Sequence, residues 1–167
     1  MLNNLLAEEA QIVAGFGPAD MAAAASTGDW VSLKGYERCT VVFFKGAGTA
    51  GDDPVLTLSQ AQDVAGTGAK ALNFTRVDVK QGTLANVGTF TAVTQAAANT
   101  YTEATSAEAA AIWLVEVSGE MLDVDGGFDC IRASVADTGT NPQLGACLYV
   151  LRGARYGRNP LPSAIAD

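Results

Sequence analysis

Histidine is absent from this chain. With it go the commonest general base and the commonest transition-metal ligand, so Ser-His-Asp, Cys-His and most zinc chemistry are excluded. Cysteine is scarce: Cys39, Cys130 and Cys147 each lie inside an apolar run and none belongs to a CxxC pair, which fits neither a zinc cluster nor a disulfide framework. Buried free thiols are the expectation, because free cysteine behaves as a small hydrophobe. Aromatic residues make up only 7% of the chain, and most fall within strand-like segments, which leaves little for the exposed stacking platforms of a sugar-binding surface. Basic residues are outnumbered, ten Lys and Arg against eighteen Asp and Glu for a net charge of −8. Such a balance repels a phosphate backbone and supports neither nucleic-acid nor anionic-membrane binding. No apolar run approaches the roughly 20 residues of a membrane helix. The start MLNNLLAEEA lacks the basic and apolar regions of a signal peptide. A soluble protein made in the cytoplasm, with protein partners, is expected.

What the chain does have is a run of short apolar segments punctuated by Gly, Asp, Asn and Pro. At 167 residues and 49% hydrophobic, it is long enough to bury one substantial core. Strands are expected near Trp30–Leu33, Cys39–Lys45, Val55–Ser59, Ala71–Val79, Thr89–Thr94, Ala111–Val117, Phe128–Ala136 and Ala146–Arg152, with turn chemistry between them. About eight such strands predict an all-β fold, an antiparallel, jelly-roll-like β-sandwich. Residues 1–28 read as an extended N-terminal arm, because GFGPADMAAAASTG offers little to a packed element. On that reading the domain spans 29–157, and deletion of residues 1–26 leaves it folded but poor at attachment. Residues 95–111 carry alanines and glutamates interrupted by Asn99–Thr102, which reads as a loop with a short helical turn. The tail 158–167 holds Pro160 and Pro162 and is expected on the surface.

Three segments imitate functional motifs. Gly46–Gly51 spells GxGxxG after the strand CTVVFFK, but a dinucleotide site needs a helix to begin there. Pro54 and the alternating Val55–Leu58 read as a strand instead, and Asp52 and Asp53 oppose phosphate. Gly66–Lys70 lacks P-loop spacing and reads as a turn. Asp123, Asp125 and Asp129 surround Gly126 and Gly127, yet an EF-hand loop needs oxygen ligands where the chain has Gly127 and Ser134. Asp125-Gly126 and Gly127 are expected at positive-φ turn positions, with Asp123 and Asp129 bonded to the loop backbone. Arg152, Arg155 and Arg158 flank Tyr156 in the basic cluster LRGARYGR, a composition that suits salt bridges at a protein interface. Trp30 and Trp113 read as core or interface residues. No catalytic, cofactor-binding or metal-binding residue is assigned.

The segments GDWVSLKGYERCTVVF (28–43), QDVAGTGAKALNF (62–74), LDVDGGFDCIRASVAD (122–137) and ACLYVLRGARY (146–156), in this order, resemble a family of small virion proteins of tailed bacteriophages, encoded near the major capsid protein. The resemblance covers most of residues 28–156 and includes no catalytic motif. It implies a non-enzymatic structural role: a capsid decoration, or cement, protein on the virion surface that binds the major capsid protein and stabilises the head. A head-to-tail neck or tail component is the alternative within that class, and a virion-displayed carbohydrate-binding module a more distant one. A homo-oligomer is expected, as a trimer at quasi-threefold capsid positions, because a small sandwich gains footprint by presenting several arms together.

Overall fold

The computed structural model describes residues 5–82, 89–103, 109–155 and 160–166. Among these the chain forms twelve strands, a four-residue helix α1 (Leu6–Glu9) and one 3-10 turn at Gly119–Met121. The strands are β1 (Ala10–Asp20), β2 (Ser26–Thr27), β3 (Val31–Ser32), β4 (Tyr36–Lys45), β5 (Leu56–Ala61), β6 (Lys70–Ala71), β7 (Phe74–Gly82), β8 (Thr91–Ala98), β9 (Thr100–Tyr101), β10 (Ala110–Ser118), β11 (Cys130–Val135) and β12 (Leu144–Ala154). The larger sheet has the order β1-β12-β4-β10-β7-β8. The smaller runs β2-β11-β5-β6, with β3 beside β11 and β9 beside β5. Every pairing is antiparallel, and the two sheets enclose one main core, as an antiparallel β-sandwich requires.

The core follows from the period-2 alternation of the central strands. Register aligns Cys147, Phe43 and Trp113 across β12, β4 and β10, then Tyr149, Val41 and Val115, then Leu151, Cys39 and Val117. All nine are completely buried. Leu56, Leu58, Ile131, Ala133 and Val135 meet them from the smaller sheet. Phe43 and Trp113 lie 5.1 Å apart between ring centroids, and Tyr101 stands edge-on to Trp113 at 4.9 Å. The sheets are also joined by a polar contact: the Ala133 N–H donates to the buried Tyr149 hydroxyl at 2.7 Å. Gly28 passes this point so closely that a Cβ there would lie 2.7 Å from both the Ala133 carbonyl oxygen and the Tyr149 hydroxyl. The three cysteines are free and buried, and burial pushes the Cys39 thiol well up and the Cys147 thiol up to about 12.

Residues 10–28 correct the expected arm. β1 pairs with β12 from Ala10↔Arg152 to Asp20↔Leu144, and Phe16 and Met21 sit in the core. The Gly-Phe-Gly-Pro stretch that looks like a break is a pair of register shifts. Gly15 lets the backbone approach Cys147, whose atoms would stand 3.2 Å from an added Cβ. Pro18 is exposed on a strand at the sheet edge, where a missing N–H is tolerated.

Two further expectations change. The stretch Ala71–Val79 is two strands: β6 belongs to the smaller sheet and β7 to the larger, with buried Leu72 at the crossing and its N–H donating to the Leu58 carbonyl. The expected helical turn within 95–111 is absent from residues 95–103, where β8 and β9 repeat the same sheet change about Asn99; residues 104–108 lie outside the described residues. In the tail, Ala164 is buried, its carbonyl accepts from the Ser32 N–H at 2.7 Å, and the Tyr36 hydroxyl donates to the Pro162 carbonyl at 2.5 Å. Residues 160–166 are thus a strap fixed to β3 and β4.

Candidate functional site

The residues nominated from the sequence fall at both ends of the sandwich: Gly46–Gly51 lies past the end of β4, whereas Arg155 and the Asp123–Asp129 loop lie where β4 begins and β10 runs into the 3-10 turn. An open cleft of about 930 Å³ lies there, with Leu33, Leu122 and Phe128 among its apolar lining and Lys34, Glu37, Arg38, Glu120 and Arg155 among its charges. Arg155 is held by its backbone N–H on the Gly35 carbonyl (2.9 Å) and its Nε on the Tyr36 carbonyl (3.2 Å). Arg152 lies on the adjoining sheet face. Its Nη2 donates to Glu116 Oε1 at 2.5 Å and to Thr40 Oγ1 at 3.1 Å, while the Thr40 hydroxyl donates to Glu116 Oε2 at 2.6 Å. Tyr156 and Arg158, the rest of the expected basic cluster, lie outside the described residues.

The motif-like loops serve structure. Gly46–Gly51 leads into extended backbone and β5, and Asp52 accepts from the backbone N–H and side-chain Nδ2 of Asn141 at 3.2 and 2.9 Å, tying this loop to the β11–β12 connection. In the next loop Asp63 accepts from the Ala65 and Thr67 N–H groups at 3.0 and 2.9 Å. Asp123 accepts from the Gly126 N–H at 3.0 Å and pairs with Lys70, whose ammonium also lies 3.8 Å from the centre of the Phe128 ring. Of Gly126 and Gly127 only Gly127 has positive φ, and among the described residues the Asp129 carboxylate accepts from the Cys130 thiol and not from the loop backbone. Among the described residues no three His, Cys, Asp or Glu side chains converge as a metal site would require. Trp113 is core, whereas Trp30 forms a small satellite cluster under the Arg132 guanidinium, 4.5 Å from its ring centre.

These loop carboxylates set an acid limit. Hydrogen bonds from Asn141 hold the Asp52 carboxyl below its ordinary range, those of Thr67 do so for Asp63, and Lys70 with Gly126 for Asp123. A carboxyl depressed in the folded state adds stability that is present above its unfolded pKa of about 4 and is lost as pH falls through the folded value. Thermal melts are expected to be flat from pH 7 to about pH 5 and to drop below about pH 4. Asp52→Asn should lower the melting temperature at pH 7 and shrink the acid-induced drop; an unchanged drop in that variant would remove Asp52 as a contributor.

The outer face of the larger sheet carries a broad apolar patch that belongs to no motif. Here register sets Ala14, Leu148, Val42 and Leu114 in one row and Ala146, Phe44 and Ile112 in the next, with Ile12 beside Val150 above them. Ile12 is 47% exposed, Phe44 39%, Leu148 43% and Leu144 59%. Arg38, Arg152 and Glu116 border one end and Arg76, Asp78 and Lys80 the β7 side. The signal was legible: TVVFF, IWLV and ACLYVL are continuous apolar runs, whereas an antiparallel strand with one face in water alternates. Strands apolar on both faces require cover on both.

No protein-family model matches the chain, and no curated protein matches it. Among solved structures, the crystal structure of SPBc2 prophage-derived protein YomS is similar over 86% of this chain and 93% of that chain, at 11% identity and a TM-score of 0.42. A likeness that loose carries no argument about function.

Proposed function

We propose that this chain is a non-enzymatic structural protein of a tailed-bacteriophage virion, a capsid decoration protein that binds the shell of major capsid protein and stabilises the head. The observation that carries the reading is the broad apolar outer face of the larger sheet, which marks a chain that assembles with protein neighbours, its own copies included, joined to the resemblance of residues 28–156 to small virion proteins. A contiguous apolar face rimmed by charges is what a protein-binding module presents. A decoration protein needs such surfaces, repeated at every copy, and no reaction centre. The aromatic content fits this reading better than sugar binding, since Trp30 and Trp113 are both buried.

Quantitative mass spectrometry of purified particles tests it. Decoration gives this chain in hundreds of copies per particle, near-stoichiometric with the major capsid protein. Six or twelve copies per particle would move the chain to the neck, and absence from particles would overturn the virion role altogether.

A further inference from the structure

We propose that the outer face of the larger sheet is covered by a second copy of this chain, with that copy's Leu5–Glu9 segment seated on it. This rests on the proposed function only in reading the chain as a binding protein, and it names the partner of that face.

The first argument is charge. The outer face carries four basic side chains, Arg38, Arg76, Lys80 and Arg152, and three acidic ones, Asp20, Asp78 and Glu116, in a chain whose net charge is −8. Arg76 pairs with Asp78 at 2.7 Å and Arg152 with Glu116 at 2.5 Å. Arg38 and Lys80 have no carboxylate partner among the described residues. The face is therefore apolar with a basic excess, and it fits an apolar segment with an acidic excess. Leu5–Glu9 is such a segment: Leu5 is 70% and Leu6 63% exposed, Glu8 and Glu9 are exposed, and it holds no basic residue.

The second argument is area. Ile12, Phe44, Leu144 and Leu148 together leave on the order of 400 Å² of surface in water, within the roughly 300–600 Å² of the largest patch on a monomer, a patch that is often functional. Leu5 and Leu6 add roughly 250 Å² that their own chain leaves open, so both halves of the contact are unburied in one copy. Two copies of so acidic a protein repel when like surfaces approach. A basic-apolar face meeting an acidic-apolar segment avoids that repulsion. The contact is heterologous, each copy giving one half and receiving the other, and such contacts close into rings where the rotation between copies closes and run on as filaments where it does not.

The test uses full-length protein without particles, so it can fail while the virion role stands, and the reverse. Light scattering on a sizing column should show the wild type as an oligomer, and both the deletion of residues 1–9 and Leu148→Asp as monomers with cooperative melts. Mixing the two variants should then restore a one-to-one complex, because the truncated chain keeps an intact face and the Leu148→Asp chain an intact segment. Should Leu148→Asp fail to fold, Arg38→Glu combined with Lys80→Glu spoils the same face without touching the core. A monomeric wild type, a truncated chain that keeps the wild-type mass, or a mixture that stays monomeric would each overturn the proposal.

Discussion

Trp113→Ala is expected to destabilise the fold by about 3–5 kcal/mol, the range for emptying a fully buried large aromatic site. Trp113 sits at the middle of β10, the strand between β4 and β7, and bridges the Phe43 ring on one side and the Tyr101 edge on the other. Tyr101 belongs to β9, which pairs with β5 in the smaller sheet, so the indole is the contact through which the two sheets meet at this end. Its neighbours are held in ladders on both sheets and cannot collapse into the space. For a domain of this size the loss corresponds to a melting-temperature drop of roughly 10 °C. Trp113→Phe should cost far less than the alanine variant. The indole Nε1–H is buried without an acceptor among the described residues, and phenylalanine removes that unsatisfied donor while keeping most of the ring contact. Urea unfolding of both variants measures the difference. A loss under 1 kcal/mol for Trp113→Ala would mean that the sheets are not joined through this side chain.

How far the residues announced this arrangement varies by element. Seven of the eight expected strands exist within a few residues, because their alternation and the Gly, Asp and Pro between them are local signals. Sheet membership was not local. Ala71–Val79 reads as one strand since nothing in Leu72-Asn73 forbids extension; the division arises only because Leu72 is drawn into the core while β6 and β7 find partners in different sheets. Thr100–Tyr101 was hidden in the same way, because two residues of β9 are fixed by pairing with Leu56 and Thr57 and by the contact with Trp113. Of the nominated carboxylates, Asp52 and Asp123 stand near glycines because tight loops need both, and their oxygens are spent on loop bonds, as are those of Asp63 beside the Gly66–Lys70 turn. The outer apolar face was visible in TVVFF and ACLYVL, but only once their missing alternation is read as a demand for cover on two sides.

Deleting residues 1–26 is expected to abolish folding, the reverse of what the composition of that segment suggests. Its alanines and glycines offer little area, but position gives the few large residues their weight. β1 is the strand that closes the larger sheet against β12, pairing eight residues from Ala10 to Asp20 with Arg152 through Leu144. Phe16 lies 6.3 Å from the Phe43 ring centre, and Met21 is completely buried. Truncating such side chains singly costs about 3–5 kcal/mol for Phe and about 2–5 kcal/mol for Met, which together rivals the roughly 5–15 kcal/mol stability of a whole domain. The deletion also removes Phe16 and Met21 from beside Cys147 and Gly145 and leaves β12 with a new unpaired strand edge, a template for aggregation. It removes Ser26 as well, one of the two β2 residues paired with β11. Deleting only residues 1–9 spares all of this, since Leu5–Glu9 are exposed. Circular dichroism and thermal melts should find the shorter deletion unfolding cooperatively within a few degrees of wild type and the longer one insoluble or without a transition. A cooperative, near-wild-type melt for the chain lacking residues 1–26 would show that the core closes without β1.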